Sequence, residues 1–243
     1  MTSGKDIEVS IVLPAFNESG YIEKAVIQAM KKLTEITDSF EIIIAEDGSN
    51  DGTDKIAESL SKLFGLVRCL HSDQRLGRGR ALNRAFKQSK GSILVYMDVD
   101  LSTELEYLLP LIDSIRCGWD IATGSRMLPR SLVKRSRTRT FASRAYNTLI
   151  QLLFKTSVRD HQCGFKAFNR EKLLTIIDEV EDGHWFWDTE VLALATIHGY
   201  SIREIPITWH EERRTTKVKL FRDSLNMGFK ALSLWWRIKF MHS

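Results

Sequence analysis

The sequence contains few cysteines and no long apolar run, and each shortage excludes a class of protein. The three cysteines, Cys69, Cys117 and Cys163, are odd in number and widely spaced. That usage favours a reduced cytoplasmic interior over a disulfide framework or a zinc site. Because no stretch reaches about 18 apolar residues, no transmembrane helix is predicted. The N-terminal residues lack a secretory hydrophobic region and lead directly into a strand.

Several familiar ligand-binding patterns are also missing. Residues 76–80, Leu-Gly-Arg-Gly-Arg, lack the spacing and the Lys-Ser/Thr pair of a P-loop. They do not follow the first strand, so a dinucleotide-binding fingerprint is disfavoured as well. The histidines show no pairing typical of metal ligands. What this segment does offer is Arg78 and Arg80 at a predicted helix start, which suits contact with phosphate.

Apolar segments of two kinds alternate along the chain. β-branched runs predict strands at 9–13, 42–45, 66–70, 93–97 and 121–122. Helical periodicity predicts helices at 21–33, 53–63, 81–89 and 105–115. Such alternation over 243 residues predicts an α/β fold with a mainly parallel sheet flanked by helices. In open sheets of this kind, ligands bind beyond the carboxyl ends of the strands.

Three polar motifs stand at those carboxyl ends. Residues 14–18 are expected to follow the first strand, because proline cannot continue a ladder. Residues 46–49, Glu-Asp-Gly-Ser, follow the second strand. Helix capping and turn formation explain part of both motifs. The two adjacent carboxylates of Glu46 and Asp47 can also accept hydrogen bonds from a base or a ribose.

The third motif, Asp98-x-Asp100, follows the fourth strand and concentrates negative charge at its end. Such charge is costly to hold in a buried place unless a cation sits on it. Carboxylate oxygens suit Mg²⁺ or Mn²⁺, which bind through one or two carboxylates and the phosphates of a substrate. A solvated turn or a helix cap is the alternative for the pair taken alone. Three motifs at one edge favour the metal site.

Basic residues are concentrated in two segments. Residues 126–144 contain seven basic residues and no acidic one, and from Arg213 onwards eight basic residues face the single acid Asp223. They alternate with leucine, phenylalanine and tryptophan, which favours amphipathic helices at 131–155 and 217–241 on an anionic membrane surface. Nucleic-acid binding, a packed C-terminal helix and a partner interface are the alternatives.

The ordered set of motifs resembles the inverting family 2 glycosyltransferases with the GT-A fold, which is Rossmann-like. Within that family it is most similar to the polyprenyl-phosphate hexosyltransferases, the dolichyl-phosphate glucose and mannose synthases. The segments that carry the resemblance are VSIVLPAFNE (9–18), EIIIAEDGSNDGT (41–53), GRGRAL (77–82), YMDVDLS (96–102), GSR (124–126), SRAYN (143–147) and DHQCGFKAF (160–168). CGFKAF, WFWDTE (185–190) and EIPITWHE (204–211) favour the glucose branch.

This resemblance implies a domain organisation and roles for individual residues. A GT-A domain would span residues 1–210, while the charge and aromatic pattern described above predicts that residues 211–243 form a basic amphipathic segment on the membrane surface. Asp98, Asp100 and Ser102 would form the metal site, and Arg126 and Arg139 would face phosphate groups. The implied nucleotide-sugar site consists of Pro14, Ala15, Asn17, Glu18, Glu46, Asp47, Arg78, Asp98, Val99, Asp100, Arg213 and Lys217.

Two positions depart from the family pattern. Glu46 replaces the first aspartate of the family's Asp-Asp pair, which leaves its contact with the base open. Ser102 stands where the mannose branch often has a glutamine, which weakens its claim as a third metal ligand and disfavours that branch. The diphosphate and water would then complete the coordination of the ion.

The implied activity is transfer of a hexose from UDP-glucose, with GDP-mannose as the second candidate, to a polyprenyl or dolichyl phosphate. The enzyme would act as a peripheral protein on the cytoplasmic face of a membrane. A phosphate monoester is already anionic near pH 7, its second pKa being about 6, so no strong base is needed. Asp160 and Asp188 are candidates for positioning the acceptor, or for a base towards a hydroxyl acceptor. Asp188 is assigned to the catalytic set together with Asp98, Asp100, Arg126 and Arg139, with a helix N-cap as the alternative for Asp188.

Two other functions compete with this one. A family 2 transferase with a soluble or polysaccharide acceptor is disfavoured, because processive synthases carry membrane spans and a Gln-x-x-Arg-Trp motif that are missing here. A non-catalytic nucleic-acid-binding protein is disfavoured because carboxylates in a pocket repel phosphate unless metal is bound. No nucleic-acid partner is therefore expected.

Overall fold

The apolar runs form a central sheet in the protein, whose computed structural model describes residues 6–134, 136–210 and 220–241. The strands are β1 (Val9–Ala15), β2 (Phe40–Glu46), β3 (Val67–Leu70), β4 (Ile93–Met97), β5 (Ile121–Ser125), β6 (Leu132–Lys134), β7 (Phe165–Asn169), β8 (Ile202–Pro206) and β9 (Thr208–His210). The order across the main sheet is β3-β2-β1-β4-β7-β5-β8, and β6 pairs with β9 separately.

Helices connect the strands and cover the sheet. They are α1 (Ile22–Thr34), α2 (Thr53–Leu63), α3 (Arg78–Gln88), α4 (Leu108–Arg116), α5 (Arg137–Phe154), α6 (Arg170–Ile176), α7 (Trp187–Ile197) and α8 (Leu220–Met241). Single 3₁₀ turns occur at Leu105–Tyr107 and Ile177–Glu179. Each of the four predicted helices is present, although α3 begins three residues early and α4 begins with the first of these 3₁₀ turns.

The sheet is mainly parallel, as predicted from the alternation of strands and helices. β1 runs parallel to β2 and β4, β2 runs parallel to β3, and β5 runs parallel to β8. The exception is β7, which is inserted between β4 and β5 and runs antiparallel to both. The segment that precedes β7 therefore lies at the carboxyl edge of β4 and β5.

Side chains from alternate positions of each strand fill two cores, one on each face of the sheet. Ile11 and Leu13 belong to one core, and Val12 between them belongs to the other. Ile42 and Ile43 divide in the same way. Because both faces are buried, the strands read as continuous apolar runs in the sequence.

Two expectations about element boundaries are wrong. Pro14 lies inside β1 and is paired with Ala45, where the sequence predicted the strand to have ended. The strand tolerates it because pairing with β4 reaches only to Val12, so β1 has a single neighbour at that point. The helix predicted over 131–155 begins at Arg137, because residues 132–134 pair with β9.

The C-terminal helix α8 packs against α5 and α7. Ala231 and Leu234 of α8 are buried in a third apolar cluster with Ile150 of α5 and Ala193 of α7. Arg237 of α8 binds Glu190 of α7 at 2.6 Å. Within the described residues, no helix is both long enough and apolar enough to cross a membrane.

Candidate functional site

A pocket opens where β4 ends and β7 begins. The Asp98 N–H donates to the Gly164 carbonyl at 3.0 Å, which joins the two segments. The side chains and backbone that line the pocket are those of Met97, Asp98, Asp100, Ser102, Thr103, Arg126, Gly164, Phe165 and Trp209. The predicted metal set and Arg126 are thus brought together, although the sequence separates Asp98 from Arg126 by a helix and a strand.

Gly164 makes room for the Asp98 carboxylate. A Cβ at this position would overlap that carboxylate. Gly164 could not be assigned a role from the sequence, because the close approach depends on the reversed direction of β7. Any other residue here would push Asp98 away from its present position.

The two aspartates offer hard oxygen donors to the same pocket. The Asp98 side chain is 45% exposed, and Asp100 accepts a hydrogen bond from the Ser102 N–H at 3.1 Å. Leu101, which follows Asp100, has a φ of 55°, so the chain turns sharply after Asp100. Among the described residues there is no cluster of three or more His, Cys, Asp or Glu side chains suited to a metal. A pair of carboxylates fits an ion that takes its remaining ligands from a diphosphate and water.

Arg126 is held in the pocket by a buried carboxylate. Its Nε and Nη2 donate to the two oxygens of Asp160 at 2.7 and 2.9 Å, and Asp160 is fully buried. Burial alone would raise the pKa of Asp160, but the adjacent guanidinium lowers that pKa well below its usual range. Asp160 therefore orients Arg126 through a bidentate pair.

Behind Asp98 lies a buried network of charged and polar side chains. Arg78 donates to Asp98 Oδ1 at 2.9 Å and to Asp188 Oδ2 at 2.7 Å. Asp188 Oδ1 accepts from Lys166 at 2.7 Å and also from the hydroxyl of Tyr96. Burial raises the pKa of Asp188 to about 6 and lowers that of Lys166 to about 7.

Asp188 does not cap a helix, so the N-cap alternative is wrong. It is the second residue of α7, whose N-cap position is occupied by Phe186 without a side-chain bond. Its carboxylate is nearly fully buried and contacts Arg78, Lys166 and Tyr96 instead.

Lys166 and Tyr96 were missed as members of the site, yet the sequence held a signal for the first of them. A lysine in the apolar run Phe165–Phe168 needs a buried counter-charge if that run is a strand.

The motifs after β1 and β2 are held mainly by contacts to neighbouring loops. Asp47 accepts the N–H groups of Leu76 and Gly77 at 2.6 and 3.0 Å. Glu46 contacts Nδ1 of His71 at 2.5 Å and accepts the Ser49 N–H at 2.7 Å. Both carboxylates therefore fix the loops at the carboxyl edge of β2.

The first motif is tied to the loop after β2. Asn17 has a φ of 53°, and its Oδ1 accepts the Asn50 N–H at 3.0 Å. The Glu18 N–H donates to Thr53 Oγ1 at 2.8 Å. Turn formation thus explains much of this motif, while Pro14 and Ala15 belong to the strand itself.

The remaining predicted residues occupy three different places. Val99 is 3% exposed and belongs to a core cluster. Arg139 lies in the first turn of α5, where its N–H is capped by Ser136 Oγ at 3.5 Å. Arg213 and Lys217 lie outside the described residues.

Comparison with known proteins places these features in a family. The model of glycosyl transferase family 2 matches residues 10–176. Glycosyltransferase AglD of Haloferax volcanii is 47% identical over 235 residues, which cover 96% of this chain and 38% of AglD. The chain thus spans about two fifths of that relative. The dolichyl-phosphate beta-glucosyltransferase of Saccharomyces cerevisiae is 32% identical over 244 residues, covering 92% of this chain and 73% of the yeast protein.

A solved structure supports the fold. Glucosyl-3-phosphoglycerate synthase of Mycobacterium tuberculosis, in complex with Mn²⁺, UDP and glucosyl-3-phosphoglycerate, superposes with a TM-score of 0.66 at 20% identity. The match covers 94% of this chain and 78% of the mycobacterial chain. The predicted GT-A-like architecture is confirmed by this likeness.

Proposed function

Since the chain belongs to glycosyl transferase family 2, we propose that it transfers a hexose from a nucleotide sugar to a polyprenyl or dolichyl phosphate. The main support for the proposal is that Asp98, Asp100 and Arg126 line the same pocket. It combines carboxylates for a metal with a cation for a phosphate. UDP-glucose is the proposed donor, and the similarity to dolichyl-phosphate beta-glucosyltransferases supports that choice.

Asp98 and Asp100 would hold Mg²⁺ or Mn²⁺ in this pocket. When bound, the ion supplies Lewis-acid stabilisation of the charge that develops on the nucleoside diphosphate leaving group. The mycobacterial enzyme of the same fold binds Mn²⁺ together with UDP. A single residue separates Asp98 from Asp100 in the sequence, and the Asp98 side chain is partly exposed. Both features fit such an ion.

The acceptor phosphate needs positive charge more than it needs a base. A phosphate monoester is anionic at neutral pH, its second pKa being about 6, and can attack the anomeric carbon without losing a proton. Arg126 lines the pocket, and its bidentate bond to Asp160 fixes the direction of the guanidinium. Arg139 on the first turn of α5 is the proposed second contact for phosphate.

The outer faces of α5 and α8 would place the enzyme on the membrane that holds its acceptor. Phe229, Leu232, Trp236 and Phe240 recur on one side of α8, and they are 71%, 43%, 53% and 65% exposed. Such a stripe suits the boundary between headgroups and acyl chains. The proposed location is the cytoplasmic face, whose anionic lipids attract basic side chains.

A direct assay tests the proposed activity. The purified chain is given UDP-glucose or GDP-mannose with a short polyprenyl phosphate, and with Mg²⁺ or Mn²⁺, and lipid-linked hexose is measured. We expect product with UDP-glucose and its loss in Asp100→Ala, with unchanged circular dichroism. Absence of product with both donors, or glycosylation of soluble acceptors alone, would overturn the proposal.

A further inference from the structure

The guanidinium of Arg78 lies between two carboxylates with very different surroundings. It donates to Asp98 at 2.9 Å on the side of the pocket and to Asp188 at 2.7 Å on the side of the core. The Asp98 side chain is 45% exposed, that of Arg78 12% and that of Asp188 5%. Arg78 therefore links a solvent-facing carboxylate to one that is fixed in the interior.

Asp188 is fixed by groups that cannot follow a movement of Arg78. Lys166 donates to it from the second position of β7, and the hydroxyl of Tyr96 donates from β4. Lys166 is fully buried, and its ammonium also donates to the carbonyls of His161 and Cys163 at 3.1 and 2.5 Å. The inner end of the network is thus attached to two central strands.

The outer end of the network, Asp98, in contrast has two competing binding partners. Asp98 is the carboxylate that would bind a divalent cation, and it is also the outer partner of Arg78. The four side chains Arg78, Lys166, Asp98 and Asp188 balance one another in formal charge. A divalent cation on Asp98 would disturb that balance, because it repels the adjacent guanidinium.

We propose that Arg78 is the built-in counter-charge of Asp98, which the metal displaces, and that Asp188 and Lys166 are positioning residues that retain Arg78 beside the site. Once released from Asp98, the retained guanidinium is available to the donor diphosphate. The inference rests on the proposed function, because it assumes a divalent ion at Asp98 and a diphosphate donor.

This competition predicts that two substitutions change the affinity for Mn²⁺ in opposite directions. In Arg78→Gln the competing charge is gone, so Mn²⁺ alone should bind roughly two- to fivefold more tightly, as expected for a partly exposed ion pair. UDP in the presence of Mn²⁺ should bind more weakly in the same variant. In Asp188→Asn, Arg78 loses its inner partner and pairs more strongly with Asp98, so Mn²⁺ alone should bind more weakly.

A double-mutant cycle separates this competition from a general change in the electrostatic field. If Asp188 acts through Arg78, then Asp188→Asn has no further effect on Mn²⁺ binding once Arg78→Gln is present. If both residues act only through the electrostatic field at the metal site, the effects of the two substitutions on Mn²⁺ binding add. Lys166→Met is the second variant, in case Asp188→Asn does not fold. It leaves Asp188 free to draw Arg78 inward, so Mn²⁺ should bind more tightly, and only when Arg78 is present.

The experiment measures free Mn²⁺ by electron paramagnetic resonance and UDP binding by calorimetry, on the full chain and without an acceptor. Non-additive effects of opposite sign support the proposal. Additive effects, or unchanged Mn²⁺ affinity in Arg78→Gln, overturn it and leave the proposed transferase activity standing. If the wild-type chain binds no Mn²⁺, the proposed metal site and this inference fall together.

Discussion

At the scale of single residues, Gly164 is the position where the smallest change should have a large effect. A methyl group there would overlap the carboxylate of Asp98. Gly164→Ala is therefore expected to displace Asp98 and to lower kcat/KM by about a hundredfold, since misplacement of a catalytic group by ~1 Å costs that much. Steady-state kinetics and Mn²⁺ binding would measure the effect.

Gly20→Ala provides the matched control, because the space around Gly20 is open. It should retain both Mn²⁺ affinity and turnover. Wild-type kinetics in Gly164→Ala would show that the position of Asp98 is not critical.

The Arg126–Asp160 pair makes a prediction about stability. Removing the charge of Asp160 would leave a largely buried guanidinium without its partner, and the Arg126 side chain is only 14% exposed. We expect Asp160→Asn to lower the free energy of unfolding by about 3 kcal/mol. Chemical denaturation would measure it, with Asp113→Asn as the control, because Asp113 forms an exposed pair with Arg116 and should matter little.

The same pair predicts a dependence on pH. Because Arg126 lowers the pKa of Asp160, the folded state binds the proton less readily than the unfolded state. The stabilisation is complete above the unfolded-state pKa of about 3.9 and is lost as the pH falls towards the folded-state value. The difference between the wild type and Asp160→Asn should therefore shrink below about pH 4. A difference that stays constant in acid would show that the ion pair is not its source.

At the scale of elements, α8 is attached to α7 by a buried charge. Glu190, whose side chain is 3% exposed, accepts hydrogen bonds from Arg237 and from the N–H groups of Glu181 and Asp182. Arg237→Met would leave this carboxylate without a cation and should loosen α8. We expect faster hydrogen exchange across residues 220–241.

The control for this prediction is Lys62→Met, because the Lys62 side chain is 71% exposed on α2 and forms a surface pair. It should leave exchange in α8 unchanged. Equal protection of α8 in both variants would mean that apolar packing and the Lys230–Asp182 ion pair hold the helix without Arg237.

Elements that depend on local pattern could be predicted from the sequence, and elements that depend on distant pairing could not. The runs of β1, β2 and β4 and the helices between them were evident because burial on both faces makes their strands apolar throughout. β7 was not predicted, because nothing local in its five residues tells that it enters between β4 and β5 in the reverse direction. The same reversal brings Lys166 to Asp188, which is why that contact was missed.

At the scale of the whole molecule, a series of contacts connects the helix that carries the exposed stripe, α8, to the pocket. Lys230 of α8 forms an ion pair with Asp182, and the adjacent Gly183 carbonyl accepts the N–H of Gly79 at 2.9 Å. Gly79 is next to Arg78, which contacts Asp98. The helix proposed to touch the membrane is thus joined by contacts to the start of α3.

The exposed stripe makes a prediction about membrane binding. Replacing both Trp236 and Phe240 with Asp should reduce flotation of the chain with vesicles that contain anionic lipid, because both side chains are exposed and stack at 5.2 Å. Leu63→Asp is the control, since Leu63 is 71% exposed on α2. Unchanged flotation of the double variant would exclude this face as the membrane contact.

The reversed strand β7 also has a consequence for how the protein is made. Tyr96 contacts Lys166 across 70 residues of chain, and β5 is joined to the β1–β4 part of the sheet only through β7. During synthesis the nascent chain therefore exposes the edge of β4 until residues 165–169 have left the ribosome. Contacts of such long sequence separation form late and slow the folding of a domain. We expect the site to be the last part of the sheet to acquire its native order, after the β1–β4 half has already formed.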